Sequence, residues 1–112
     1  YVAGLSLLGG EPFEPQNQKA LLSLLRRFRR MFPKKTVWCY SGYRFEELAG
    51  LATSRARTDE TDEMLSYIDI LVDGEFEEEN KDISLKFRGS SNQRIIDVQK
   101  SLAEGKAVLA DI

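Results

Sequence analysis

Three short apolar runs, each closed by glycine or an Asp-Gly pair, limit most severely what this chain can fold into. Residues 2–8 read Val-Ala-Gly-Leu-Ser-Leu-Leu and end at Gly9-Gly10. That nearly continuous apolar run is the pattern of a strand covered on both faces, as in a parallel sheet. Residues 36–41, Thr-Val-Trp-Cys-Tyr-Ser, are β-branched and aromatic and close on Gly42, which predicts a second strand. Residues 68–72, Ile-Asp-Ile-Leu-Val, predict a third, ending at Asp73-Gly74. Between the first two, Leu21, Leu24, Leu25, Phe28 and Met31 recur at three- and four-residue steps and so share one face of a helix over 16–31. Pro15 suits the first helical position, where its missing N–H costs nothing, and Pro33 stops the helix.

Phe45, Leu48 and Leu51 predict a short helix from about Arg44, and Asp59 to Ser66 a further one whose acidic start suits the helix dipole. A polar connector, 53–58, lies between them. The order β-α-β-α-β implies a parallel sheet with right-handed crossovers, hence an α/β fold. Residues 83–87 and 95–98 are weaker strand candidates, at least one of which is expected to join the sheet. The tail from about 101 to 112 is expected to be mobile or loosely packed.

Composition narrows the chemistry. The 112 residues suffice for one modest core, and they include one cysteine and no histidine. Ser/His/Asp and Cys/His catalysis, paired-histidine metal sites and Cys-rich zinc or iron-sulfur ligand sets are thereby excluded from this chain. A single Cys39 in an apolar run forms no internal disulfide, which fits a reducing cytoplasm. No apolar stretch approaches the ~20 residues of a membrane span, so no membrane association is expected. The formal charge of −2 conceals basic residues crowded at 26–35 and acidic ones at 75–82. Phe28 belongs to the apolar stripe and cations late in a helix are favoured by its dipole, so the basic cluster reads as a solvated face and no nucleic-acid partner is expected. The acidic cluster lacks the spacing and central glycine of a calcium loop and reads as a solvated loop.

In parallel α/β sheets ligands sit at the carboxyl ends of strands. Four segments qualify: Gly9-Gly10-Glu11-Pro12, Ser41-Gly42-Tyr43, Asp73-Gly74-Glu75-Phe76 and 88–94. Glycines at a strand end expose carbonyls that accept from an ammonium group, and Glu11 adds a negative charge; a tight turn with a solvated glutamate explains the first segment equally well. Ser41 and Gly42 offer a hydroxyl and open backbone to a ligand. Tyr43 either faces the ligand or caps the core edge, and Asp73 either orients a ligand or belongs to a turn with Gly74. Residues 88–94 carry two cations, two hydroxyls and two amides in seven positions, with Asn92 the best ligand contact; a loop satisfying its own backbone is the competing explanation.

Gly9-Gly10-Glu11-Pro12 after an apolar strand resembles the motif with which radical S-adenosylmethionine enzymes hold the amino group of the cofactor's methionine part. Trp38-Cys39-Tyr40-Ser41-Gly42-Tyr43, then Leu71-Val72-Asp73-Gly74-Glu75-Phe76, then Arg88-Gly89-Ser90-Ser91-Asn92-Gln93-Arg94-Ile95-Ile96-Asp97 follow in the order seen in activases of anaerobic ribonucleoside-triphosphate reductase. The resemblance runs from about Gly4 to Leu102. Leu8 departs from it, standing where a small polar residue often precedes the glycine pair.

The resemblance implies that 1–112 is the C-terminal part of a partial (β/α) barrel of the radical S-adenosylmethionine type, a single incomplete domain. It implies that S-adenosylmethionine is held by Gly9, Gly10, Glu11, Pro12, Ser41, Gly42, Asp73 and Asn92, with no residue acting as acid, base or nucleophile. In the family a CxxxCxxC loop, absent from this sequence, binds a four-iron, four-sulfur cluster, so the cluster is expected only in a longer parent. That parent would cleave the cofactor to methionine and a 5'-deoxyadenosyl radical and place a glycyl radical on the large reductase subunit. The chain alone is expected to be inactive and prone to self-association through an open sheet edge. The alternatives are a cluster-free interaction module docking on a reductase or another partner, and an activase of a different glycyl-radical enzyme.

Overall fold

The computed structural model describes residues 4–7 and 10–112; the expectations for Leu8 and Gly9 lie outside them. Four strands, β1 (Gly4–Leu7), β2 (Thr36–Ser41), β3 (Ile70–Asp73) and β4 (Arg94–Asp97), form one sheet in the order β1-β2-β3-β4. The first three are parallel. Helix α1 (Pro15–Met31) links β1 to β2, and the short helices α2 (Phe45–Leu48) and α3 (Thr61–Ser66) lie between β2 and β3. α4 (Val98–Glu104) follows β4 directly, with the Asp97 carboxylate accepting from the Lys100 amide as its N-cap and Gly105 closing it at φ 71°.

The core lies on the helix-bearing face. Leu7, Cys39, Leu71 and Ile96 stand opposite one another across all four strands, and they are buried under Leu22, Leu25, Phe28, Phe45, Leu48, Met64, Leu65 and Val98. Alternation along β2 sends Val37, Cys39 and Ser41 into this face and Trp38 and Tyr40 onto the other.

Two expectations are corrected, and a third is met by one of its two candidates. β4 pairs with β3 antiparallel, so the sheet is mixed. No crossover helix separates the two strands: residues 74–93 form an irregular excursion with one 3-10 turn, Glu78–Asn80, and the chain re-enters the sheet from the end at which it left. Of the two weaker candidates, of which at least one is expected to join the sheet, the second does so as β4, while residues 83–87 form no strand. The Asp82 carboxylate accepts from the Ser84 amide and hydroxyl, turning the backbone locally, and Ile83 is 93% exposed. In α1 the buried face is Gln18, Leu22, Leu25 and Phe28, while Leu24 and Met31 are exposed. Adjacent leucines at 21–22 and 24–25 make two overlapping stripes, and periodicity alone cannot choose between them.

Residues beyond Ser101 complete α4 and then run beside β4. The Asp97 amide donates to the Val108 carbonyl and the Ala110 amide to the Ile95 carbonyl, forming an isolated bridge between Ile96 and Leu109.

Gln18 is the polar anchor of the helix layer. Its amide nitrogen donates to the Phe13 and Ala56 carbonyls at 2.8 and 2.6 Å, and its oxygen accepts from the Thr58 and Thr61 hydroxyls at 2.9 and 2.7 Å. It is fully buried and ties the 53–58 connector to α1. Gln18→Leu keeps the volume but strands those four groups, at about 1–3 kcal/mol for an unsatisfied buried partner. Urea denaturation should show a loss of at least that size, and an unchanged midpoint would refute the anchoring role.

Candidate functional site at the strand ends

The carboxyl ends of the parallel strands carry a row of polar residues in register: Ser41 lies opposite Asp73, and Asp73 opposite Arg94. Around this row the chain segments from all four strands surround a cleft of about 830 Å³. Glu11, Gly42, Asp73, Gly74 and Asn92 all line it. All four marked segments thereby contribute to one cleft, the first of them through Glu11.

Glu11 is fixed by three donors. One carboxylate oxygen accepts from the Phe13 amide and the Ser41 hydroxyl, both at 2.8 Å, and the other from the Gly42 amide at 2.7 Å. The turn after β1 is thus bolted to the turn after β2. The Ser41 oxygen also accepts from the Tyr43 amide at 3.1 Å, so this buried hydroxyl is spent on the loop itself. Tyr43, whose orientation the sequence leaves open, lines the cleft and donates its hydroxyl to Glu14 at 3.1 Å. Burial and that hydrogen bond push its phenol up.

Asp73 is 1% exposed, and both its oxygens are engaged. One accepts from the Phe45 amide at 2.7 Å and from Arg94 Nη2 at 2.5 Å; the other accepts from Arg94 Nε at 3.0 Å. Arg94 reaches on to Glu46 at 2.7 and 3.2 Å. The flanking carboxylates hold the Arg94 guanidinium firmly protonated, and its hydrogen bonds hold the Glu46 carboxyl below the usual range. Asn92 donates to the Glu75 carbonyl at 2.8 Å, and Gln93 to the Gly74 carbonyl at 3.0 Å, closing the turn in which Gly74 has φ 97°. Only glycine adopts that backbone without strain.

Gly10 and Pro12 lie to one side, lining a groove of about 480 Å³ with Leu5, Leu7, Leu21 and Leu24 along the outer edge of β1. A side chain at Gly10 would meet nothing within 4 Å, so its backbone is open to approach. Pro12 is buried. Gly10, Ser41 and Gly42 also line a smaller hollow of about 250 Å³. Sequence reasoning missed Glu14, Arg55, Glu46 and Glu47. Glu14 pairs with Arg55 at 2.5 Å and Glu46 with Arg94 across 48 positions, and no local pattern announces such pairs. Glu47 alone had a signal, the spacing of a capping box, its carboxylate accepting from the Arg44 amide at 2.9 Å.

The cleft carries six carboxylates, from Glu11, Glu14, Glu47, Asp73, Glu75 and Glu77, against the three guanidiniums of Arg44, Arg55 and Arg94. A surplus of negative charge in a recess selects cations and disfavours phosphates.

Residues 1–96 match the family described as 4Fe-4S single cluster domain. The chain belongs to that family. Curated relatives named anaerobic ribonucleoside-triphosphate reductase-activating protein match it from Haemophilus influenzae (44% identical over 92 residues, 82% of this chain and 54% of the relative), enterobacteria phage T4 (37% over 95, 85% and 53%) and Escherichia coli K12 (40% over 90, 80% and 53%). The chain spans about half the length of the relatives it matches. No solved structure matches it.

The cluster for which the single cluster family is named needs several thiolate ligands. Cys39 is the one cysteine of the sequence; it is fully buried in the core, where burial pushes its thiol up. No group of His, Cys, Asp and Glu among the described residues is arranged to hold a metal ion. The residues of this chain therefore do not fit the cluster.

The lowered Glu46 fixes the sign of one pH effect. Its ion pair contributes stability that is complete above the unfolded carboxylate value of about 4.3 and is lost as pH falls through the lower folded value. Glu46→Gln should flatten the acid limb of the stability curve below about pH 4.5 and leave its slope near pH 7 unchanged; parallel acid limbs in urea titrations would remove Glu46 from that role.

Proposed function

We propose that this chain is the S-adenosylmethionine-binding part of an activase that generates a glycyl radical on the large subunit of an anaerobic ribonucleoside-triphosphate reductase. The observation that carries the reading is the electronegative cleft at the parallel strand ends, where Glu11, Gly42, Asp73 and Asn92 converge from four segments. S-adenosylmethionine is a sulfonium and an ammonium at once, and a recess with twice as many carboxylates as guanidiniums suits it. The names of the relatives supply the activase and its reductase partner.

The cofactor, on one-electron reduction, supplies the radical chemistry; the chain's own residues bind and aim it. Backbone carbonyls of Gly9 and Gly10 accept from the ammonium group. Glu11 and Ser41 hold the Gly42 turn open for the carboxylate or ribose. Asp73 acts one step back, holding Arg94 and the start of α2, and Asn92 fixes the wall contributed by Glu75. The iron-sulfur cluster belongs to the longer parent, whose sheet continues past the outer edge of β1 as a partial (β/α) barrel. Because the groove beside that edge exposes Leu24 next to Leu5, Leu7 and Leu21, the isolated chain self-associates there. No helix among the described residues is long and apolar enough to cross a membrane, and the cytoplasm is the proposed compartment.

Isothermal calorimetry of the chain with S-adenosylmethionine tests the reading. Wild type should bind, and Gly42→Leu, which drives a side chain toward Glu11 and Glu75 across the cleft, should weaken binding ten-fold or more without a matching fall in Tm. No heat with wild type, or tighter binding of ATP than of S-adenosylmethionine, would overturn it. Light scattering after size exclusion should give a mass above the monomer that falls on Leu24→Lys, whereas a monomer at all concentrations would remove the self-association.

A further inference from the structure

Two walls of the strand-end cleft are tied together by a side chain that does not line it. Gln18 is fully buried, and its amide is saturated: the two N–H groups serve the Phe13 and Ala56 carbonyls, and the oxygen serves the Thr58 and Thr61 hydroxyls. Phe13 leads directly into Glu14, and Ala56 follows directly on Arg55; both neighbours line the cleft. The Phe13 amide also donates to Glu11. One buried amide thus holds the backbone beside each wall.

The two walls meet in a charged corner. Arg55 pairs with Glu14 Oε1 at 2.5 Å, and the same oxygen accepts from the Tyr43 hydroxyl at 3.1 Å. The Arg55 guanidinium carbon stands 6.0 Å from the centre of the Tyr43 ring. The Arg55 side chain is 68% exposed. An ion pair that open to solvent does little to hold its own geometry. The corner therefore depends on where the backbone delivers Arg55, and residues 53–58 have neither helix nor strand to fix them. What they have is the bonding of Ala56 and Thr58 to Gln18.

We infer that Gln18 is a positioning residue of the cleft, which by holding the Phe13 and Ala56 carbonyls on one amide keeps Arg55 against Glu14 and so sets the charge this corner offers to a ligand. With Arg55 seated, the Glu14 carboxylate is matched. With Arg55 displaced, Glu14 adds to the negative surplus of the recess and the preference for a cation sharpens. The inference deepens the proposed function and rests on its choice of the cleft as the ligand site, whereas the link from Gln18 to Arg55 is tested without a ligand.

Tyr43 reports on the corner. Burial and its bond to Glu14 raise the phenol, Arg55 from the connector lowers it, and Glu14 at the start of α1 and Glu11 in the turn after β1 are the facing acids. Displacing Arg55 moves the phenol further up. NMR titration of ring-labelled tyrosine, with the Tyr43 signal assigned by its loss in Tyr43→Phe, should show that upward shift in Arg55→Gln. Gln18→Leu should reproduce it, and the double variant should add nothing further. Thr61→Val removes a hydroxyl bonded to Gln18 at 2.7 Å while keeping the side-chain shape, and it should move Tyr43 in the same direction even if Gln18→Leu fails to fold. Calorimetry supplies a second reading: the affinity ratio of S-adenosylmethionine to uncharged S-adenosylhomocysteine should rise in Arg55→Gln and Gln18→Leu alike. A wild-type Tyr43 titration in Gln18→Leu or Thr61→Val would overturn the positioning role, as would shifts that add in the double variant. If the titrations move as expected while wild type binds neither sulfur compound, Gln18 still places Arg55 and the choice of ligand falls.

Discussion

The buried carboxylate of Asp73 is the contact on which the strand-end architecture depends. A carboxylate this deeply buried is tolerated only when its charge is matched and its lone pairs are filled, and removing one member of such a pair costs about 3–5 kcal/mol. Arg94 supplies the match through two nitrogens, and the Phe45 amide fills a further position. Each partner comes from a different element, so one side chain fixes the end of β3, the start of α2 and the register of β4. The antiparallel pairing of β4 then follows: only with Arg94 opposite Asp73 does Ile96 fall opposite Leu71 in the core. The 74–93 excursion is a loop closed at its base by this ion pair, which is why twenty residues with little regular structure keep a defined path over the sheet.

Glu11 performs the equivalent task between β1 and β2. Both acidic residues that the strand-end pattern marks for a ligand spend their oxygens on the protein. In each case the carboxylate accepts from a backbone amide on the next turn, Gly42 for Glu11 and Phe45 for Asp73. Such bonds pre-set the loops before any ligand arrives, and preorganisation of this kind lowers the ordering cost of binding. The charge left for a ligand comes from the rim: Glu75 is exposed and Glu77 half-buried, and neither forms an ion pair with a described residue.

The three parallel strands, α1 and the convergence of the strand-end segments were legible because each rests on a local rule: apolar runs closed by glycine, a 3.6-residue stripe, and the geometry of parallel sheets. What escaped depends on contacts distant in sequence. The orientation of β4 was set by Arg94 meeting Asp73, 21 positions away. The inward face of α1 was set by Gln18, which looks like a surface residue until Thr58 and Thr61, 40 and 43 positions on, supply its donors. Residues 83–87 read as a strand by composition, but an aspartate that turns its own backbone at Asp82 and the left-handed φ of 66° at Phe87 prevent one.

The sheet's two edges are unlike, and the difference has a physical origin in β4. An antiparallel strand ends the run of parallel crossovers on its side, and the outer edge of β4 is further occupied by the Val108 carbonyl and the Ala110 amide, which pair with Asp97 and Ile95. β1 has no partner among the described residues on its outer side, and Leu21 and Leu24 of α1 flank that edge where an apolar face is expected to be covered. Among the described residues the open edge of the sheet is therefore that of β1. That edge adjoins the site, because Gly10 and Glu11 border both the groove beside β1 and the hollow beside the cleft. At Gly10, where a side chain would meet nothing within 4 Å among the described residues, the site and the open edge come together, so the backbone that a ligand can approach is also the backbone that borders the uncovered groove.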